Sequence, residues 1–151
     1  LSMKRKLSLA QYVKKRNGVP LGASDSMKNM LLRSFGAPSF PVFWHYWNPI
    51  WGYYLSRNVM RPIANFFPIS LAIFITFLVS GALHDIAVSI IKWKTIFFFT
   101  PWFGVMGLMV IGSKGAGISY GHLIWPVRAL INASFILISL GITYFLETLY
   151  A

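Results

Sequence analysis

Long apolar runs with few charges fill most of the chain after residue 61. They cover residues 62–91, 95–113 and 129–146, and a Lys92-Trp93-Lys94 turn and a glycine-rich connection separate them. At about 1.5 Å per helical residue, each run is long enough to cross a hydrocarbon core of about 30 Å, the second and third with little to spare. The pattern predicts an all-α integral membrane fold with about three transmembrane helices, at about 68–91, 95–113 and 128–146.

A basic arm precedes the apolar part of the chain. We assign residues 1–38 to a cytoplasmic or interfacial arm and residues 39–151 to the membrane domain. Residues 4–16 carry apolar side chains at roughly helical spacing among Lys and Arg, which fits either an interfacial helix on anionic lipid or a solvated arm. The opening Leu1-Ser2-Met3 fits either the remnant of a tag or the start of a fragment.

Between the arm and the first apolar run lies a stretch that is dense in aromatic residues, 40–55. Trp and Tyr are typical of the headgroup level of a membrane. Pro41, Pro49 and Pro62 forbid one uninterrupted helix, because proline lacks the backbone donor and clashes with the preceding turn. We therefore expect a broken helix that lies at the membrane interface or dips into it.

Composition and charge support a membrane location. Hydrophobic residues make up 56% of the 151 residues and charged residues only 11%, which excludes an ordinary cytosolic globule. A net charge of +11 could suggest binding to nucleic acid, but the charge is unevenly distributed. Ten of the fourteen Lys and Arg residues lie at or before Arg61. By the positive-inside rule, we expect a cytoplasmic N-terminus and an outside C-terminus, with membrane lipids rather than nucleic acid as partners.

Few residues are suited to chemistry. There are only three acidic residues and no cysteine, and His45, His84 and His122 lack metal-site spacing, so we expect no metal and no cofactor. His84 and Asp85 interrupt the first apolar run, and an ionisable residue in a span is a functional candidate. For Asp85 we favour the simpler interpretation, a structural ion pair with Lys or Arg of a neighbouring helix.

Two sequence blocks resemble the membrane-bound O-acyltransferase superfamily, above all its wax-synthase-like members. The first is Phe43-Trp44-His45-Tyr46-Trp47-Asn48 and the second is Val79-Ser80-Gly81-Ala82-Leu83-His84-Asp85, with Arg61-Pro62 between them. Members of the family pair an F-W-x-x-W-N block with a V-S-G-x-x-H-[DE] block a few dozen residues later. The resemblance covers residues 39–85, and the later runs match by hydropathy.

The resemblance implies transfer of an acyl group from an acyl thioester, such as acyl-CoA, to a hydroxyl-bearing acceptor. His84 would be the catalytic base, and Asn48 would position or polarise the acyl group. Small residues beside the histidine would let a substrate approach, and basic residues would attract phosphates. The implied substrate-binding residues are Trp44, Trp47, Arg57, Arg61, Ser80 and Gly81.

A second function remains open from the sequence. Members of the family are much longer than this chain and enclose a tunnel with more helices. The chain therefore either assembles with itself or with other membrane chains, or it keeps the motifs without the reaction. The alternative to an enzyme is a non-catalytic subunit of a larger membrane complex that contacts lipid or partner helices.

Overall fold

The computed structural model describes residues 6–151, and these residues form helices and connecting loops without a strand. The all-α prediction is confirmed. Leu1-Ser2-Met3 and the start of the predicted 4–16 helix lie outside the described residues. The helices are α1 (Leu9–Asn17), α2 (Ser26–Phe35), α3 (Phe40–Tyr46), α4 (Pro49–Leu55), α5 (Arg61–Ala64), α6 (Ile69–Lys92), α7 (Phe99–Gly115) and α8 (Trp125–Tyr150).

Local signals define the short basic helix α1. Ser8 caps its start by a reciprocal capping box: Gln11 N donates to Ser8 Oγ at 3.3 Å, and Ser8 N donates to Gln11 Oε1 at 3.0 Å. Gly18 ends the helix with a φ of +78°, a left-handed conformation that glycine adopts without strain. Helix α1 therefore begins later than the basic and apolar pattern of residues 4–16.

The aromatic stretch is divided between α3 and α4. Ser39 caps α3, and the chain leaves the helix at Trp47, where the backbone is extended. Asn48 is left-handed, with a φ of +44°, and precedes Pro49, which disfavours a helical conformation at the residue before it. The break therefore lies at Trp47 and Asn48, inside the first sequence block.

A π-helical turn, Ser56–Met60, joins α4 to α5. Arg61 N donates to the carbonyl of Ser56, five residues earlier. Pro62 follows directly and offers no backbone N–H to the helix. The wide turn therefore lies where the ring of Pro62 would crowd the carbonyl four residues before it.

Two of the described helices, α6 and α8, are long and apolar enough to cross a membrane. Helix α7 has 17 residues, or about 26 Å at 1.5 Å per residue, because the predicted run 95–113 begins as a loop. Ile96 N donates to Ser89 Oγ at 2.9 Å and Phe98 N to Asp85 Oδ1 at 2.9 Å, which holds this segment outside the helix.

Helix α7 packs most extensively against α6 and also contacts α8 and α3. Glycines allow the close contact with α6. A Cβ atom on Gly81 would lie 2.5 Å from the carbonyl oxygen of Phe99 and 2.7 Å from Cα of Thr100, both backbone atoms. Only a residue without a side chain fits at this crossing, as is common where membrane helices approach closely.

Helix α8 is joined to the aromatic region through a buried amide. Asn132 is fully buried, and its Nδ2 donates to the carbonyl of Phe35 at 2.8 Å and to that of Ala37 at 3.1 Å. The hydroxyl of buried Tyr120 donates to Asn132 Oδ1. These bonds connect α8 to the loop before α3, where Ala37 belongs to a core with Phe40, Phe43, Met106 and Val110.

Tyr120 is expected to make the fold sensitive to alkaline pH. Burial raises the pKa of Tyr120 to about 12 from its ordinary 10. The unfolded chain therefore ionises first, and Tyr120 lowers the free energy of unfolding as pH rises from about 10 to about 12. Unfolding of the wild type and of Tyr120→Phe in the same detergent measures this loss.

Over that pH range, the wild type should lose stability that Tyr120→Phe keeps. Tyr144→Phe, at an exposed position of α8, is the matched control and should follow the wild type. Identical alkaline curves for the wild type and Tyr120→Phe would contradict the prediction.

Candidate functional site

A cavity of about 320 Å³ lies between the aromatic helices α3 and α4 on one side and α6 and α7 on the other. Its volume is within the range typical of small-molecule sites, about 300–1,000 Å³. Many of the residues that line it come from the two sequence blocks. The wall includes Trp44, His45, Trp47, Asn48, Trp51, Ser80, His84, Phe103, Arg16 and Lys114.

Within residues 6–151, the imidazole of His84 has one nitrogen with a hydrogen-bond partner and one without. Its Nδ1 lies 2.6 Å from the carbonyl oxygen of Ser80, one helical turn earlier. Because a carbonyl only accepts hydrogen bonds, Nδ1 carries the proton and donates it. In the neutral ring, Nε2 is then an unprotonated acceptor. The fold therefore leaves Nε2 as the imidazole nitrogen that can accept a proton.

Aromatic rings fix the orientation of His84. Phe103 of α7 stacks on the imidazole at a centroid distance of 4.9 Å, and Phe99 lies at 5.6 Å. The Trp51 ring meets it edge-on at 6.0 Å. The imidazole is thus held between α4, α6 and α7 in largely apolar surroundings.

Trp51 is a residue of the site that was not predicted. Its Nε1 donates to Ser80 Oγ at 3.0 Å, which joins α4 to the turn of α6 that also orients His84. Ser80 thus contributes its carbonyl to the histidine and its hydroxyl to the tryptophan. In the sequence, Trp51 stood out only as one of many aromatic residues in 40–55.

Asn48 lines the same cavity, and the oxygen of its side-chain amide accepts a hydrogen bond within the fold. Its Oδ1 accepts from Trp51 N at 3.3 Å and so caps the start of α4. Among the described residues, none accepts a hydrogen bond from its Nδ2, and the side chain is exposed. Asn48 thus has two N–H groups that are free to donate to a ligand.

The two predicted tryptophans form part of the aromatic wall. Trp47 stacks on Phe43 at 5.7 Å, and Trp44 meets Phe77 of α6 edge-on at 5.2 Å. The contact of Trp44 with Phe77 joins α3 to α6, and the stacking of Trp47 on Phe43 orders the end of α3. An apolar chain would find a continuous surface of rings along this side of the cavity.

Basic side chains give one part of the wall a positive charge. His45 lies within the influence of Arg16 and Lys114. Partial burial, which removes water from the ring, is the main cause that lowers the pKa of His45 below its ordinary 6.5. The positive charges of Arg16 and Lys114 lower this pKa further. His45 is therefore neutral at pH 7, and the charge of the wall comes from Arg16 and Lys114.

Asp85 contacts a helix terminus rather than the cavity. Its Oδ1 accepts from Phe98 N at 2.9 Å and Phe99 N at 2.8 Å, and its Oδ2 accepts from Thr100 N at 2.8 Å and Thr100 Oγ1 at 2.6 Å. The predicted ion pair is thus replaced, within the described residues, by a cap on the start of α7. Backbone donors at a helix N-terminus stabilise a carboxylate as a cation would.

Three predicted substrate-binding residues lie away from the cavity. Gly81 faces the backbone of α7 at the crossing described above. Arg57 and Arg61 line a separate, smaller pocket beside α1. The structure thus brings together His84, Asn48 and three of the six predicted substrate-binding residues, and it places the two arginines elsewhere.

Within residues 6–151, no three His, Asp or Glu side chains lie close enough to share a metal ion. The polar groups of the cavity wall include the imidazoles of His45 and His84, the carboxamide of Asn48, and the cations Arg16 and Lys114. Comparisons of the chain with protein-family models, curated proteins and solved structures find no match.

Proposed function

We propose that the protein is a small membrane-bound acyltransferase, which moves an acyl group from an acyl thioester to a hydroxyl-bearing acceptor. One observation carries the proposal: His84 and Asn48 line the same cavity, and within residues 6–151 neither Nε2 of His84 nor Nδ2 of Asn48 has a hydrogen-bond partner. The likeness of the two sequence blocks to membrane-bound O-acyltransferases supports it. An acyl-CoA is the acyl thioester that we propose as donor.

The reaction uses a base and an oxyanion donor. Nε2 of His84 takes the proton of the acceptor hydroxyl while its oxygen attacks the thioester carbonyl. Negative charge develops on the carbonyl oxygen, and an N–H of Asn48 donates to it. The C–S bond then breaks, the thiolate takes the proton from the imidazolium, and an ester and a free thiol leave.

The proposal includes a membrane arrangement. Helices α6, α7 and α8 cross the bilayer, and α3 and α4 lie at its interface, with the N-terminus cytoplasmic and the C-terminus outside. The exposed apolar side chains of α6 and α8 support contact with lipid, and so does the basic character of the N-terminal segment. Further copies or other membrane chains complete the enclosure of the substrate.

The test is a transfer assay with the purified full chain in lipid nanodiscs. The donor is a long-chain acyl-CoA labelled in the acyl group, and the acceptors are a panel of membrane alcohols. We expect labelled ester to form together with an equal amount of free thiol. Two results together would instead indicate an accessory subunit. The folded chain would form no ester with any acceptor, and it would be extracted from its native membrane in a complex with other proteins at a fixed stoichiometry.

Asn48→Asp is expected to lower the transfer rate by about 100-fold or more, the usual effect of removing one oxyanion donor. Aspartate keeps the oxygen that caps α4 and tolerates a left-handed backbone, but it lacks the N–H groups of Asn48. The matched control is Asn65→Asp, an exposed position between α5 and α6, which should transfer at the wild-type rate. Equal activity of Asn48→Asp and Asn65→Asp would remove Asn48 from the mechanism.

A further inference from the structure

A second, smaller pocket of about 100 Å³ lies where α1 meets α4 and the π-helical turn. Five cationic side chains line it, and none of the described residues in its wall is Asp or Glu. The five are Lys6, Lys15, Arg16, Arg57 and Arg61. Like charges gathered in one recess repel each other, so the arrangement favours an anionic ligand that neutralises them.

Two hydrogen bonds build the wall of this pocket. The hydroxyl of Tyr53 donates to the carbonyl of Leu7 at 3.3 Å and accepts from Arg57 at 2.7 Å. The N-terminal segment is thereby held against α4, and the guanidinium of Arg57 keeps donors that the tyrosine does not use. In addition, Nε of Arg16 is buried without a hydrogen-bond partner among the described residues.

Size and position identify the ligand class. A recess of about 100 Å³ is too small for a drug-sized molecule, which occupies about 300 Å³ or more, but it suits a single anionic group. Arginine side chains bind phosphate oxygens through paired donors. The pocket also lies on the segment that leads into α6, where the chain would enter the headgroup region of a bilayer.

The pocket and the large cavity are neighbours. Tyr12, Arg16 and Ser56 belong to the walls of both. A molecule with a phosphate in the basic pocket could therefore extend an apolar part along the aromatic wall. We propose that this pocket is a binding site for the phosphate group of an amphiphilic phosphate ester, either a membrane lipid or the acyl thioester itself.

The proposal is tested by equilibrium binding to the full chain in a non-ionic detergent, measured by calorimetry. The probes are short-chain phosphatidic acid, CoA and, as a phosphate-free control, short-chain diacylglycerol. The pocket variant is Lys15→Gln/Arg61→Gln, because both side chains are exposed and make no hydrogen bond within the described fold. The matched control is Lys92→Gln/Lys94→Gln, the same loss of charge at the other end of α6.

We expect the pocket variant to bind a phosphate-bearing probe about 100-fold more weakly, about tenfold for each charge-assisted bond, and the control variant to bind it as the wild type does. If the pocket variant binds only phosphatidic acid more weakly, the phosphate belongs to a lipid. If it binds only CoA more weakly, the phosphate belongs to the thioester. Equal binding of diacylglycerol, equal weakening in both double variants, or no binding of either phosphate probe would overturn the proposal.

The phosphate site goes beyond the transfer reaction, and the same titration separates the two proposals. His122→Gln should bind the phosphate probes with unchanged affinity, because His122 lies outside both the basic pocket and the large cavity. A chain that binds phosphate without transferring acyl groups would keep this inference and lose the proposed function. If the wild type binds neither phosphate probe while the pocket variant transfers acyl groups at the normal rate, the proposed function stands and this inference falls.

Discussion

His84→Gln is expected to lower the rate of acyl transfer by about 100-fold to 10,000-fold, the usual contribution of a general base. The structure gives the reason in the hydrogen bond from Nδ1 to the Ser80 carbonyl, which leaves Nε2 as the proton-accepting nitrogen of a residue that lines the cavity. Glutamine keeps a polar group at this position but cannot take a proton from a hydroxyl. The measurement is the initial rate of ester formation in nanodiscs.

His122→Gln is the matched control, because His122 is exposed in the loop between α7 and α8. It should transfer at the wild-type rate, and thermal unfolding should show that both variants are folded at the assay temperature. Trp51→Phe separates positioning from chemistry: it removes the bond to Ser80 Oγ but leaves the base, so we expect a loss of about tenfold or less. Normal transfer by His84→Gln would exclude His84 as the base.

Asp85→Ala is expected to lower the free energy of unfolding by about 3–4 kcal/mol, because charge-assisted hydrogen bonds contribute about 1.5–3 kcal/mol each and are not additive. The carboxylate receives four hydrogen bonds from the start of α7 and is only 5% exposed. Its loss leaves the N–H groups of Phe98, Phe99 and Thr100 without their acceptor. Unfolding in mixed micelles at increasing denaturing detergent measures the effect.

The control is Asp25→Ala, since Asp25 is exposed before α2 and its side chain makes no capping hydrogen bond. A surface substitution of this kind changes stability by about 0.5 kcal/mol or less. An equal, small effect of both substitutions would contradict the capping role of Asp85. Because Phe99 and Phe103 of α7 both contact His84, the loss of the cap should also weaken acyl transfer.

The histidine and aspartate of one sequence block thus have separate tasks. They are adjacent in α6, and successive residues of a helix point about 100° apart. His84 faces the cavity and the aromatic helices, whereas Asp85 faces the N-terminus of α7. The two side chains cannot act as a relay, and the structure gives each its own partner.

The sequence by itself determined the helical class, the positions of α6 and α8, and the choice of His84 as a candidate residue in the first apolar run. Each rests on a local property. An apolar run of sufficient length predicts a helix wherever its neighbours lie, and an ionisable residue within such a run is conspicuous. Pro41, Pro49 and Pro62 likewise predicted that the aromatic stretch is interrupted, since the restriction that proline imposes is local.

Only the tertiary structure decided which groups meet. The cap of Asp85 joins residues 13 to 15 positions apart, Trp51 reaches Ser80 across 29 positions, and Asn132 reaches Phe35 across 97. Hydrophobic pattern carries no information about such partners, because it records the burial of a residue and not what buries it. For the same reason the sequence could not place Arg57 and Arg61 in a pocket apart from His84, or shorten α7 by the loop that Asp85 and Ser89 hold.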